Sequence, residues 1–154
     1  MSVPGGQPEK PAAAARPPLI EVAAGLIFRD GRLLLAQRPA GRHLAGLWEF
    51  PGGKREPGEG YAACLERELR EELGVQVAVG TCVFEQTHAH PERTVRLRFF
   101  RCRLVSGEPA GLDGQALAWV ARDDLARYRF PPADADLVAR LQTDPAFWSD
   151  AGCG

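Results

Sequence analysis

Residues 52–75 read GGKREPGEGYAACLERELREELGV, and the rest of the chain is best understood outward from this stretch. Two glycines open it and Pro57-Gly58 punctuates it. Gly60 to Leu73 then reads as a helix that stops at Gly74, a residue suited to a left-handed cap. Helical neighbours lie three and four residues apart, so Glu68, Glu71 and Glu72 share one face and Glu59 can approach it from the loop. Ala62, Leu65, Leu69 and Leu73 fall on an adjoining face that can pack on a sheet. Like charges at this spacing cost about 0.2–0.5 kcal/mol per pair on an exposed helix. Hard divalent cations such as Mg2+ remove that cost and carry phosphate oxygens with them. Taken alone, the same run is also an ordinary solvated face on which Arg67 and Arg70 pair with glutamates.

On the N-terminal side, Leu19 to Phe28 is apolar and partly β-branched and reads as a strand. Arg29-Asp30-Gly31-Arg32 is a tight-turn signal, and Leu33 to Ala36 continues as a second strand, so the pair reads as a hairpin. Gln37 to Leu47 reads as a loop, and Leu47 to Phe50 as a short extended piece halted by Pro51-Gly52-Gly53. On the C-terminal side, Val75 to Phe84, Val95 to Val105 and Gln115 to Val120 read as strands, Asp123 to Ala126 as a helical turn, and Pro132 to Leu141 as a final helix. Strands around one long charged helix predict an α/β (α+β) domain with a mixed sheet. Residues 1–18, rich in Pro, Ala and Gly, are expected as a tail that cannot bury enough surface to offset its ordering entropy. The domain is expected over 19–143, with a second tail over 144–154.

A chain of 154 residues favours one domain with one modest core. A net charge of −1 argues against bulk electrostatic binding to a nucleic-acid polymer or an acidic membrane, and is neutral towards a small anion held by a metal. No apolar run approaches the roughly 20 residues that span a bilayer, and the N-terminus lacks the apolar core of a signal peptide, so a cytoplasmic location is the default expectation. Cys64, Cys82, Cys102 and Cys153 form no CxxC pair and no zinc-ligand spacing, and read as reduced thiols.

From Gly53 to Val75 the sequence resembles the Nudix box: Gly53, Glu59, Arg67, Glu68, Leu69, Glu71, Glu72, Gly74 and Val75 stand at its fixed positions. The resemblance implies the Nudix fold, a mixed β-sheet sandwiched between helices. It implies that Glu68, Glu71 and Glu72, with the carbonyl of Gly52, hold Mg2+ or Mn2+, and that Gly53, Glu59 and Arg67 support those ligands. The implied activity is metal-dependent hydrolysis of a nucleoside triphosphate, in which the metals neutralise the triphosphate and activate a water.

The resemblance extends to the MutT-like group through Gln37-Arg38-Pro39, through Gly46 to Lys54, through Asp113-Gly114-Gln115 and through Phe130 to Asp134. Within that group the wording around Ala36 to Ala40, Gln115 to Leu117 and Pro132 to Asp134 is most similar to bacterial CTP pyrophosphohydrolases. The expected products are a nucleoside monophosphate and pyrophosphate, with CTP, dCTP or modified (5-methyl or oxidised) nucleotides preferred. Sanitation of 8-oxo-dGTP or 2-hydroxy-dATP is the alternative with the same chemistry, and a non-catalytic nucleotide-binding regulator the alternative of another class. The assembly is expected to be a monomer or homodimer.

By the same resemblance Asp113 stands near the metals, and Arg38, His43, Glu49, Phe50 and Pro51 belong to the substrate site. Asp134 stands where the 8-oxo-dGTP-specific pattern has Asn. An ionised Asp only accepts hydrogen bonds, which suits the exocyclic amine of cytosine or adenine and not guanine O6. The alternative reading of Asp134 is a helix cap after Pro131-Pro132. Trp119 is expected in the core and Phe50 as a pocket wall. His88 and His90 alternate at a strand edge or loop with no further soft ligands nearby, and are assigned no role.

Overall fold

The computed structural model describes residues 17–149. The N-terminal tail expected over 1–18, apart from Pro17 and Pro18, lies outside the described residues, as does Cys153. Strand β1 (Leu19–Arg29) turns into β2 (Arg32–Gln37) through Asp30 and Gly31, at φ of 52° and 74°. Positive φ at both central residues is what a two-residue hairpin of matching twist demands, and Asp-Gly supplies it. Short strands β3 (Trp48–Glu49) and β4 (Gly52–Lys54) follow, then helix α1 (Tyr61–Leu73), long strands β5 (Gln76–Ala89) and β6 (Thr94–Ser106), and β7 (Leu117–Ala121). A 3-10 turn over Arg122–Arg127 leads to a second over Pro132–Asp134 and to helix α2 (Ala135–Thr143).

The strands run β4-β1-β6-β5 in one sheet, with β1 parallel to β6 and antiparallel to β4. Strand β2 pairs with β3 and β7 and joins the first sheet through the β1–β2 hairpin. Side chains alternate along β1. Ala23 and Ile27 join Leu65, Leu69 and Leu73 of α1, whereas Ala24 and Leu26 join Leu137 and Leu141 of α2. Gly25 lies on the α1 side, where an added Cβ would stand 3.5 Å from Leu69 Cδ1. The mixed sheet therefore lies between the two helices.

The structure departs from the sequence reading in several places. The extended piece ends at Glu49, but Gly52 and Gly53 do not stay in a loop: Gly52–Lys54 forms a separate strand, β4, against β1, and an added Cβ at Gly52 would meet Ala23 O at 2.0 Å, so only glycine permits the approach. Ala62 is exposed, and buried Cys64 takes its place with its Sγ 3.7 Å from Gly53 O. Strand β5 runs on to Ala89 because β6 pairs with it throughout, which its polar sequence past Phe84 does not advertise. The expected helix from Pro132 opens as a 3-10 turn and becomes α-helical only at Ala135. Part of the tail assigned to 144–154 is folded: Pro145–Trp148 forms a 3-10 turn, Phe147 is buried, and Trp148 Nε1 donates to Leu141 O at 2.8 Å.

Candidate active site

Strand β4 and helix α1 meet where Gly53 faces Glu68. An added Cβ at Gly53 would stand 2.3 Å from Glu68 Cδ, so the missing side chain is what lets this carboxylate lie on the strand backbone. Arg67 organises the neighbourhood. It donates to both carboxylate oxygens of Glu59 (2.7 and 3.0 Å), to Glu68 (3.0 Å), to Glu71 (3.3 Å) and to the Lys54 carbonyl (3.2 Å). That guanidinium, helped by the Glu56 amide, holds the Glu59 carboxyl down at about 2. Arg55 in turn donates to the Glu59 carbonyl and is gripped by Glu21, which also accepts from Tyr61 at 2.6 Å. The loop that carries Glu59 is thus fixed at both ends.

The three box glutamates are not gathered together. Glu68 (16% exposed) and Glu72 face a common cleft, but Glu71 is 58% exposed, pairs with Arg67 and does not line it. Among the described residues no three His, Cys, Asp or Glu side chains form a metal-ready group. The reason is helical geometry: at about 100° per residue, Glu71 and Glu72 stand on opposite flanks of Glu68, and Glu71 falls on the flank of Arg67.

Two further acids face the same cleft. Glu49 and Asp113 line the cleft with Glu68 and Glu72. Burial, then the hydrogen bond and charge of Glu68, then Glu49 and Asp113, push the Glu72 carboxyl up to about 8. These four carboxylates line the cleft beside the Gly52–Gly53 backbone without converging as a ready ligand group, and their oxygen donors and negative charge suit a hard divalent cation such as Mg2+ or Mn2+. Gln115, quoted in the sequence reading without a role of its own, ties this end together: its amide donates to the Glu72 carbonyl at 3.2 Å and its Oε1 accepts from the Asp113 amide at 2.8 Å.

The cleft measures about 870 Å³. Arg38, His43, Glu49, Phe50, Asp113 and Asp134, to which the sequence reading gives site roles, all line it. Pro51 does not. It is buried, and its carbonyl accepts from the Gly25 amide at 2.8 Å, so it belongs to the β1–β4 seam. Arg38 Nε stands 2.9 Å from Glu49. Phe50 stacks on Phe130 with ring centres 5.5 Å apart and meets Phe99 edge-on, so it is both wall and core. Asp134 is 8% exposed and, although it precedes α2, its side chain makes no capping hydrogen bond. Burial, with the charge of Glu49, pushes its carboxyl up to about 7 against the pull of Arg38. His88 and His90 also line the cleft, because β5 is longer than its sequence suggests.

The comparisons with known proteins agree with this fold. A family model described as NUDIX domain matches residues 23–140. The chain is 42% identical over 120 residues to the CTP pyrophosphohydrolase of Escherichia coli, covering 78% of this chain and 89% of that protein. It is 39% identical over 125 residues to the 8-oxo-dGTP diphosphatase of Haemophilus influenzae, covering 80% and 91%. Among solved structures, the E. coli ORF135 protein superposes with a TM-score of 0.71 at 37% identity, covering 90% of this chain and 96% of that one. MutT from Aliivibrio salmonicida and Vibrio cholerae gives 0.70 at 31%, covering 81% and 97%. With the box residues in place on β4 and α1, the chain belongs to the Nudix hydrolases, in their MutT-like group.

Proposed function

We propose that the protein hydrolyses nucleoside triphosphates to a nucleoside monophosphate and pyrophosphate with Mg2+ or Mn2+, and that it prefers CTP, dCTP or modified forms of them. The observation that carries this reading is the set of carboxylates, Glu49, Glu68, Glu72 and Asp113, at one end of a cleft that also holds the buried, uncapped Asp134. Glu68, Glu72 and the Gly52 carbonyl would hold the metal, which supplies charge neutralisation for the phosphates and acidifies a water. Arg67 orients Glu68 while Gln115 orients the Asp113 loop. Arg38 and His43 stand on the substrate side of the cleft. Water adds at a phosphorus of the α–β anhydride, that P–O bond breaks, and monophosphate and pyrophosphate leave. As a carboxylate, Asp134 accepts from the exocyclic amine of cytosine.

Incubation of dCTP with the protein and Mg2+ should release dCMP and pyrophosphate, and a chelator should abolish release. Glu72→Gln should lower kcat about 100-fold or more with the melting temperature preserved, since metal-borne charge stabilisation acts in the transition state. Inorganic phosphate as the product, or turnover that survives chelation, contradicts the proposal. A second reading, sanitation of 8-oxo-dGTP, is favoured by the Asp134 carboxyl standing at about 7, because its protonated form donates to a keto oxygen.

A further inference from the structure

Helix α1 ends with backbone carbonyls that the helix itself cannot satisfy. Gly74 turns left-handed at φ 70° and its amide returns to the Arg70 carbonyl, so later carbonyls need partners outside the helix. The loop between β6 and β7 supplies them. The Ala110 amide donates to the Leu73 carbonyl at 3.1 Å, the Leu112 amide to the Glu72 carbonyl at 3.1 Å, and Gln115 Nε2 to that same Glu72 carbonyl at 3.2 Å. Glu72 thus belongs to the cleft by its side chain and seats the loop by its backbone.

The tip of this loop is a built turn. The Gly114 amide donates to the Gly111 carbonyl at 3.0 Å, and Gly114 has a φ of 83°. An added Cβ at Gly111 would stand 2.0 Å from the Gln115 carbonyl oxygen, so this position has no room for a side chain. Across the turn, Gln115 Oε1 accepts from the Asp113 amide at 2.8 Å. One half-buried side chain therefore grips the tip residue with its oxygen and the helix end with its nitrogen. The ends of the loop are held elsewhere: Arg29 donates to both Glu108 carboxylate oxygens at 3.0 Å, and the Gln37 amide to the Ala116 carbonyl at 2.9 Å. Asp113 is exposed on the turn and lines the cleft with Glu72. A turn rich in glycine, left to itself, has many conformations to lose, and ordering it only when a cation arrives would cost affinity. A tie made beforehand removes that cost.

We propose that Gln115 is a positioning residue for the metal end of the cleft: by tying the Asp113 amide to the Glu72 carbonyl it presents Asp113 and Glu72 as one preformed unit. The inference rests on the metal reading above and adds how Asp113 is brought to it. The test is Mn2+ binding to the protein without nucleotide, followed by the electron paramagnetic resonance signal of the free ion. Asp113→Asn and Gln115→Ala should each raise the Kd for Mn2+ about tenfold. The double variant should stay within about twofold of Asp113→Asn alone, because Gln115 acts through Asp113. Gln115→Met, of similar length with no hydrogen-bonding amide, replaces Gln115→Ala if that variant does not fold. Hydrogen exchange of the metal-free protein reads the seating without any ion. The Leu112 amide, which the Gln115 side chain does not touch, should exchange about tenfold faster in the Gln115 variant, while the Leu69 amide within α1 keeps its protection. A residue of purely structural value would lower the melting temperature and leave the Mn2+ Kd in place. An unchanged Kd in either single variant, a Gln115 effect that adds to that of Asp113→Asn, or unchanged Leu112 exchange overturns the proposal. Absence of Mn2+ binding by the wild type defeats the metal reading instead, and Leu112 exchange then still decides whether Gln115 seats the turn.

Discussion

Asp134 is where one side chain decides between substrates. Its buried carboxyl is pushed up to about 7, so both forms are populated near neutrality. Above that value it is an acceptor and favours cytosine; below it a proton lets it donate to the keto edge of 8-oxo-guanine. The kcat/KM ratio of dCTP to 8-oxo-dGTP should therefore rise from pH 6 to pH 8. Asp134→Asn should flatten that rise, and a slope that persists in the variant would move the titration to Glu49, which burial also raises. The linkage has a definite sign. The folded-state pKa lies above the ordinary 3.8, so the folded protein binds the extra proton and loses stability as pH rises from about 4 through 7. Asp134→Asn should then melt higher than the wild type at pH 8, with the gap narrowing towards pH 5. At this scale the sequence is legible where spacing is rigid: Glu59, Arg67 and Glu68 meet as their pattern predicts. It is silent where a backbone carbonyl matters, as at Pro51, or where helix rotation turns Glu71 aside to Arg67.

The element that prepares the acidic end is the loop between β4 and α1. Glu21 on β1 holds Arg55, Arg55 holds the Glu59 carbonyl, and the Glu59 side chain holds Arg67, which touches Glu68. Four residues from a strand, a loop and the helix thus fix one carboxylate. Arg55→Ala should raise the Mg2+ concentration for half-maximal activity by about tenfold, as loss of outer-shell support does, while saturating Mg2+ restores most of kcat. An unchanged Mg2+ requirement in a titration would make Arg55 a surface residue only. Acid should act on the same loop. The Glu59 carboxyl is held at about 2, below its ordinary 4.5, so its pairing is intact above 4.5 and is lost as pH falls towards 2. In an acid titration followed by circular dichroism, Glu59→Gln should lose this part of the pH dependence. The box announces the helix and Gly74 its end, because caps and periodicity are local. Strand β4 is not announced because its partner β1 lies far away in sequence, and the outer half of β5 is not announced because its own residues are polar, although its partner strand β6 follows directly.

Across the whole molecule, two apolar clusters back the sheet on either side, and the site stands where only one is closed by a long helix. The α1 side is sealed by Leu65, Leu69 and Leu73. The α2 side is closed in part by Leu137 and Leu141, and the turn at Pro145–Trp148 completes it. Phe147 is 7% exposed in that cluster, and Trp148 meets Phe28 edge-on with ring centres 5.3 Å apart. Two aromatic residues between Pro145 and a short polar end carry no periodicity, which is why the sequence reads them as tail. The packing gives a sharp expectation. Phe147→Ala removes a buried ring from the cluster that supports α2, and should destabilise the fold by about 3 kcal/mol or more in urea unfolding. Phe147 is not among the residues that line the cleft with the carboxylates, so the folded fraction should keep its Mg2+ requirement. A variant as stable as the wild type would show that Pro145–Trp148 only rests on the domain. A changed Mg2+ requirement would show instead that the seating of α2 reaches Glu68 and Glu72 through the floor of the cleft.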